Sequence, residues 1–186
     1  MLNNMTKQAF NKPMLFIVMG VSGTGKSSLA KEVADEFSIT FLDADDFHSE
    51  QAKNHMADNK PLTDDMRKPW LKAIITQLQS LYQQGKPVVL AYSGLKAEHR
   101  ALFRELSFGC HFFCLTGDKN LIASRMSQRE GHFFSPELLD SQFEAMEFPK
   151  ANETDVSVVN IDRSFIAIST EINKRIDEIR EKINHV

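Results

Sequence analysis

The sequence predicts an α/β fold, a three-layer sandwich in which a five-stranded parallel sheet is covered by helices on both faces. Five short apolar segments alternate with segments whose apolar residues recur at helical spacing, the order expected of parallel strands joined by helices. The chain has 186 residues, of which 42% are hydrophobic and 25% charged, enough for one well-buried domain. Ligands are then expected beyond the carboxyl ends of the strands.

The five strands are predicted from short apolar runs. They cover residues 14–19, 40–43, 87–92, 111–115 and 156–161. Residues 14–186 are expected to form a single domain, and residues 1–13, which carry no signal-peptide core, a flexible N-terminal tail.

Helical patterns separate the strands. They cover residues 28–34, 64–84, 96–106, 120–129, 136–146 and about 165–183. The second helix places Trp70, Ile74, Leu78 and Leu81 on one face and stops at Gly85. Ser135 is a plausible N-cap with Pro136 at the first helical position. The apolar stripe of the last helix fits a coiled-coil seam as well as packing on the sheet, and a single helix of this length favours the sheet.

A glycine-rich segment links the first strand to the first helix. Residues 20–27 read Gly-Val-Ser-Gly-Thr-Gly-Lys-Ser and match the G-x-x-x-x-G-K-[ST] pattern of a phosphate-binding loop. The alternative is a glycine-rich turn before an ordinary helix, but the pattern is rare by chance and here has the strand before it and the helix after it that a phosphate-binding loop requires. The pattern predicts a nucleoside triphosphate and Mg²⁺ as ligands, with Lys26 at the β- and γ-phosphates and Ser27 on the metal. The predicted nucleotide contacts are Gly20, Val21, Ser22, Gly23, Thr24, Gly25, Lys26, Ser27 and Ser28.

Aspartates follow the second strand, at Asp43, Asp45 and Asp46. A carboxylate facing a bound triphosphate can hold the metal shell, and one two residues further can accept a proton from a substrate hydroxyl. We therefore predict Asp43 as a metal-shell residue and Asp45 as a catalytic and substrate residue. His48 is a further substrate candidate. The alternative for these aspartates is helix capping and solvated turn carboxylates.

Basic residues follow the third and fourth strands. Lys96 and Arg100 lie four residues apart and are predicted to clamp a carboxylate or a phosphoryl group, the alternative being a solvated basic face. Arg125 and Arg129 lie on a helix before a glycine-bearing loop, as in a lid closing over ATP, with an exposed helix as the alternative. The third strand does not end in the metal-binding aspartate of many P-loop hydrolases, which favours a small kinase over a motor or GTPase.

Charge and cysteine content narrow the partners. The net charge of −3 gives no reason to expect nucleic acid, and no apolar run approaches the length of a membrane span. Cys110 and Cys114 lie four residues apart in a predicted strand, which favours reduced thiols packed as small apolar groups. A cytoplasmic protein is expected.

Taken together, these segments resemble the thermoresistant gluconokinase family, a branch of the P-loop small-molecule kinases related in fold to shikimate and nucleoside monophosphate kinases. The resemblance spans about residues 16–162. The segments specific to that family are Asp64-Asp65-x-Arg67-Lys68-Pro69-Trp70-Leu71 and Gly131-His132-Phe133, and among the others that carry the resemblance are residues 20–27, 41–43 and Ser141-Gln142-Phe143-Glu144. Members of that family transfer the γ-phosphate of ATP to the 6-hydroxyl of D-gluconate and tend to be cytosolic homodimers.

The resemblance implies roles for several basic residues. Arg67, Lys96 and Arg100 would line the sugar-acid pocket, with His132 as a further substrate residue. Arg125, also a catalytic candidate, and Arg129 would belong to a helical lid over about residues 119–147. The partner implied is a small sugar acid, and the assembly a homodimer.

The chain departs from the family pattern at five positions, all in the acceptor half: Ser49, Ala52, Thr63, Gly94 and His99. A hydroxyl-rich acceptor is recognised by paired polar groups, so such changes can alter which hydroxyls are matched. Kinases of another sugar acid or of a shikimate-like acceptor remain alternatives. So does a nucleotide-binding regulator without catalysis, although intact Lys26, Ser27, Asp43 and Asp45 argue against it.

Overall fold

The computed structural model of the chain describes residues 9–58, 60–93, 96–128 and 136–185. Within these residues, five strands form one sheet in the order β2-β3-β1-β4-β5, and all four pairings are parallel. The strands are β1 (Met14–Met19), β2 (Thr40–Asp43), β3 (Val88–Tyr92), β4 (Gly109–Thr116) and β5 (Val156–Asn160). The predicted parallel sheet is confirmed, with strand ends shifted by at most two residues.

The helices include two elements that the sequence did not predict. These are a 3-10 helix at Ala44–Phe47 and α2 (Glu50–Ala57). Both are short, and α2 buries only Ala52, so neither shows an apolar period in the sequence. The other helices are α1 (Lys26–Phe37), α3 (Asp64–Gln83), α4 (Ala97–Arg104), α5 (Lys119–Ser127), α6 (Pro136–Ala145) and α7 (Phe165–Asn184).

The core has two halves, one on each face of the sheet. All six residues of β1 are buried, as expected for a central parallel strand covered on both sides. Phe16 and Val18 join the half that contains residues of α1 and α7. Leu15 and Ile17 join the half that contains residues of α3 and α4. The predicted three-layer sandwich is therefore confirmed.

The two longest helices pack as predicted. On α3, Trp70, Ile74, Leu78 and Leu81 are all buried, and Gly85 follows with a left-handed φ of 70° that ends the helix. On α7, Ile168 and Ile172 are buried in the core half that contains α1. This helix therefore packs within the sandwich and does not present a coiled-coil seam.

Part of the predicted N-terminal tail lies against the core. The ring of Phe10 is 5.5 Å from that of Phe16 and 6.5 Å from that of Phe37. The Asn11 N–H donates to Asn184 Oδ1 at 3.0 Å, and Asn184 Nδ2 donates to the Ala9 carbonyl at 3.0 Å. Residues 9–13 are therefore held against α7 and the core, a correction to the flexible tail expected over 1–13. Residues 1–8 lie outside the described residues.

Both cysteines are free and belong to the α3 side of the core, as predicted. Burial raises the pKa of each thiol to about 11, so neither is a reactive thiolate at neutral pH. In the portion of the chain that the structure describes, no helix combines the length and apolar character needed to cross a bilayer.

Candidate functional site

The glycine-rich loop connects β1 to α1 at the carboxyl edge of the sheet. Gly25 has a φ of 91° and caps the N-terminus of α1, a left-handed conformation that suits glycine. Since Gly25 has no side chain, it leaves the first N–H groups of α1 to bind an anion. A Cβ at Gly23 would lie 2.5 Å from Met126 Cγ, because α5 packs directly on the loop. The geometry is that of the predicted phosphate-binding loop.

The loop is braced by its own side chains. The Val21 carbonyl accepts a hydrogen bond from Lys26 Nζ at 3.0 Å and another from Thr24 Oγ1 at 2.8 Å. The ammonium group of Lys26 is therefore held over the loop, where it can reach the β- and γ-phosphates of a bound nucleotide.

Helix α6 contributes a contact to this loop that the sequence did not predict. Gln142 Oε1 accepts the Ser22 N–H at 2.7 Å, and Gln142 Nε2 donates to Ser22 Oγ at 3.0 Å. The two residues are 120 positions apart in the chain. The sequence of the segment around Gln142 resembles the gluconokinases, but that resemblance does not indicate Ser22 as its partner.

The aspartates after β2 lie beside the loop. Asp43 Oδ1 accepts the Asp45 N–H at 3.0 Å and caps the 3-10 helix, so the capping alternative holds for one oxygen of Asp43. The Asp45 side chain is 68% exposed. Its pKa is raised, mainly by partial desolvation, while the positive charge of Lys26 acts in the opposite direction.

His48 is part of a stack of aromatic rings below Asp45. Its ring lies 4.5 Å from the ring of Trp70, which lies 5.2 Å from that of Tyr92, and both pairs are nearly parallel. His48 Nε2 is 3.8 Å from Asp45 Oδ1. Burial lowers the His48 pKa, so the imidazole is neutral at physiological pH. The buried Nδ1 has no hydrogen-bond partner among the described residues.

Two basic side chains that were predicted to bind the substrate, those of Arg67 and Lys96, both contact the carboxylate of Asp64. Arg67 Nη1 donates to Asp64 Oδ1 at 2.8 Å, and Lys96 Nζ donates to the same oxygen at 3.1 Å. Glu98 lies further from Lys96, at 3.6 Å. The hydrogen bonds from Lys96 and Arg67 lower the Asp64 pKa. Residues from the start of α3 and from the segment after β3 are thus brought together, as predicted for the acceptor pocket.

Arg100 is not part of that pocket, which corrects its predicted role. Its side chain is 3% exposed and donates twice to Glu153, at 2.8 Å each, and once to the Glu147 carbonyl at 3.0 Å. The clamp prediction assumed that Lys96 and Arg100 share a helix face. Lys96 is instead the extended N-cap of α4, with φ −91° and ψ 143°, so the four-residue spacing does not align the two side chains.

The remaining predicted residues belong to the segment after β4. Arg125 on α5 donates through Nη2 to the Ile161 carbonyl at 3.0 Å, next to Met126, which packs on the phosphate loop. The structure therefore brings Arg125 to the nucleotide side of the sheet edge. Arg129, His132 and Ser135 lie outside the described residues.

Comparisons with known proteins agree with this geometry. Residues 15–149 match the family described as "AAA domain". The thermoresistant gluconokinase of Escherichia coli (strain K12) is 40% identical over 164 residues, which cover 87% of this chain and 94% of that protein. The thermosensitive gluconokinase of the same organism is 37% identical over 166 residues, 89% of each chain.

Solved structures give the same result. A gluconokinase from Sinorhizobium meliloti 1021 has a TM-score of 0.83 and 34% identity, covering 93% of this chain and 97% of that one. A shikimate kinase from Bacteroides thetaiotaomicron, 14% identical with a TM-score of 0.62 over 90% of this chain and 98% of that one, shares the fold alone. The chain therefore belongs to the gluconokinase family of P-loop kinases.

Proposed function

We propose that this protein transfers the γ-phosphate of ATP to the 6-hydroxyl of D-gluconate, as a phosphotransferase with an alcohol group as acceptor. The observation that carries the proposal is the joining of three groups at one edge of the sheet. The phosphate loop follows β1, Asp45 follows β2 and Lys96 follows β3, and these strands are neighbours in the sheet. On the acceptor side, the ring of Trp70 stacks with the rings of His48 and Tyr92 and packs the two residues together.

The phosphate loop and Lys26 hold and neutralise the triphosphate. Asp45 accepts the proton of the acceptor hydroxyl while the oxygen of that hydroxyl bonds to the γ-phosphorus. The bond between the γ-phosphorus and the β–γ bridging oxygen breaks, and ADP leaves. The capping bond between Asp43 and the Asp45 N–H fixes the backbone that carries this carboxylate.

The oxygen ligands near the loop suit Mg²⁺. The Ser27 hydroxyl, at the start of α1, and the Asp43 carboxylate would hold the ion together with phosphate oxygens, the hard ligands that Mg²⁺ prefers. No group of three or more His, Cys, Asp or Glu residues that could hold a metal occurs in the described ranges, which agrees with a metal bound largely through the nucleotide. The ion would neutralise charge on the β- and γ-phosphates.

Arg67 and Lys96 are proposed to bind the carboxylate of the acceptor. Each gives one N–H to Asp64, whereas an arginine has five donors and a lysine three. Their side chains are 30% and 28% exposed, so an acceptor from solvent can reach them. Asp64 orients both cations, and its hydrogen bond raises the pKa of Lys96.

The positions at which the chain departs from the family pattern have structural uses. Ser49 and Thr63 cap α2 and α3 by accepting the N–H groups of Ala52 and Met66. Ala52 is 2% exposed, and His99 Nδ1 lies 2.9 Å from the Tyr92 hydroxyl. Gly94 lies outside the described residues. The four described residues therefore have roles in local structure.

The acceptor prediction is tested with a panel of sugars and sugar acids in a coupled assay of ADP release. We expect gluconate to be phosphorylated and glucose not, since a neutral sugar offers no partner to the cations. Lys96→Ala is expected to raise the KM for gluconate at least about tenfold, which corresponds to the lower end of the free energy that a charge-assisted hydrogen bond contributes. The KM for ATP should stay within about twofold of the wild-type value.

Lys68→Ala is the matched control, because Lys68 is also a lysine paired with an aspartate but is 76% exposed on α3. Equal activity on glucose and gluconate would refute recognition of the carboxylate. Preference for another aldonate or a shikimate-like acid would replace gluconate as the acceptor. ATP binding without transfer to any acceptor would favour a non-catalytic regulator.

Asp45→Asn is expected to lower kcat at least about a hundredfold, within the usual range for a general base, while ATP binding changes little. An amide has the size of the carboxylate but cannot take the proton. Because the Asp45 pKa is raised, the wild-type rate should fall on acidification at a higher pH than for an ordinary aspartate. The rate of the asparagine variant should not show this fall at low pH.

Steady-state rates between pH 4 and 9 and nucleotide titrations measure both effects. Asp46→Asn is the control, as Asp46 is an exposed neighbour on the same 3-10 helix. Near-normal turnover of the Asp45 variant would transfer the role of base to Asp43.

We further propose a cytoplasmic homodimer in which residues 14–186 form one domain and residues 119–147, with α5 and α6, form a helical lid over the nucleotide. The support is the resemblance to the gluconokinases. Light scattering coupled to size-exclusion chromatography is expected to give twice the chain mass of 21.1 kDa, and a monomer at micromolar concentration would contradict the dimer.

A further inference from the structure

The contact between Gln142 and Ser22 fixes the direction of two hydrogen bonds. A backbone N–H can only donate, so the atom 2.7 Å from the Ser22 nitrogen must be the amide oxygen of Gln142. The amide nitrogen therefore faces Ser22 Oγ at 3.0 Å and donates to it. Here the hydrogen-bond network determines the orientation of the amide.

This arrangement determines where the Ser22 hydroxyl proton can point. The hydroxyl has one proton and two acceptor lone pairs, and Gln142 uses a lone pair. If the proton turned toward Gln142, it would meet an N–H donor. It is therefore directed elsewhere, and a hydroxyl that already accepts a hydrogen bond is a stronger donor.

Ser22 is adjacent in the loop to the residue that binds the Lys26 ammonium group. Its neighbour Val21 accepts the hydrogen bond from Lys26 Nζ at 3.0 Å, and that ammonium group belongs at the β- and γ-phosphates. The hydroxyl of Ser22 is thus near the group that is transferred in the proposed reaction.

We propose that Gln142 is a positioning residue that fixes the Ser22 hydroxyl as a hydrogen-bond donor to the γ-phosphate of ATP. The inference builds on the proposed phosphoryl transfer. Gln142 acts through Ser22. The hydrogen-bond donors that the loop offers to the phosphates therefore depend on the packing of α6 against the loop. Donors oriented in advance toward developing charge lower the barrier without reorganising during the reaction.

The test compares Gln142→Met, Ser22→Ala and the double variant with the wild type. Methionine keeps the length of the side chain and its fit in a helix but loses both hydrogen bonds. Calorimetry measures the Kd of ADP and of a non-hydrolysable ATP analogue, and the coupled assay measures kcat. We expect each single variant to weaken the analogue or lower kcat about tenfold, with ADP affinity within about twofold of wild type.

Two further comparisons separate positioning from packing. If Gln142 acts through Ser22, the double variant is no worse than the more damaged single variant. Gln142→Glu keeps the shape and can still accept the Ser22 N–H, but its carboxylate attracts the hydroxyl proton and turns it from the phosphate. It should lose at least as much activity as Gln142→Met, whereas a packing role would survive. Glu144→Ala, on the exposed side of the same helix, should retain wild-type binding.

Equal losses of ADP and ATP-analogue affinity, additive effects in the double variant, or a Gln142→Met variant with both analogue affinity and kcat unchanged would each overturn the proposal. Should that variant fail to fold, Ser22→Ala still tests the donor role, because it retains the backbone contact to Gln142. The binding comparison needs no acceptor, so it remains decisive even if the wild-type protein does not phosphorylate gluconate. That result would refute the proposed function alone.

Discussion

Lys26→Ala is expected to abolish phosphoryl transfer while the fold survives. The ammonium group supplies positive charge where the bond between the β- and γ-phosphates breaks, and loss of one such preorganised donor typically costs about a hundredfold to a thousandfold in kcat. In the folded protein the same ammonium group donates to the Val21 carbonyl of its own loop at 3.0 Å. Single-turnover assays with saturating ATP and gluconate measure the loss.

Lys31→Ala on the exposed face of α1 is the control for removing one positive charge from the same helix. Circular dichroism and thermal unfolding should show both variants folded. Turnover of the Lys26 variant within about tenfold of wild type would remove this residue from the catalytic assignment.

Arg100→Ala is expected to act on stability and not on acceptor binding. Glu153 is 13% exposed and receives two hydrogen bonds from Arg100 at 2.8 Å. Breaking such a buried pair typically costs about 3–5 kcal/mol of unfolding free energy, although Arg104, which donates to Glu153 at 2.7 Å, still compensates part of the charge. For a chain of this size, that loss corresponds to a fall in Tm of about 6–20 °C.

Arg163→Ala is the matched control, since Arg163 forms an ion pair with Glu171 but is 40% exposed, and such surface pairs contribute at most about 1 kcal/mol. Arg100 lowers the pKa of Glu153 well below its usual range. The pair therefore stabilises the protein above the ordinary glutamate pKa and is lost as the pH falls. A raised KM for gluconate with unchanged stability would restore the substrate role of Arg100.

Sequence reasoning succeeded where the pattern is local. The phosphate loop, its strand and its helix form one continuous segment, and the buried strands and the apolar stripes of α3 and α7 repeat with clear periods. It failed where the contact is distant in the chain. Glu153 is 53 residues from Arg100 and Gln142 is 120 residues from Ser22, and no spacing rule connects either pair.

Spacing also misled at element boundaries. A four-residue step places two side chains on one face only inside a helix, and Lys96 precedes α4 as its extended N-cap. Ser49 and Thr63, two positions that differ from the family pattern, serve as helix caps. Their identity carries information on folding that a functional interpretation of the sequence attributes to the acceptor.

The stack around Trp70 gives the protein an intrinsic optical probe. Trp70 is the only tryptophan of the chain, so all indole fluorescence originates beside the proposed acceptor pocket. Its ring lies 4.5 Å from the ring of His48, whose Nε2 is 3.8 Å from the carboxylate of Asp45. An acceptor that displaces Asp45 or His48 changes the surroundings of the indole, and its emission then follows acceptor binding in real time without any label.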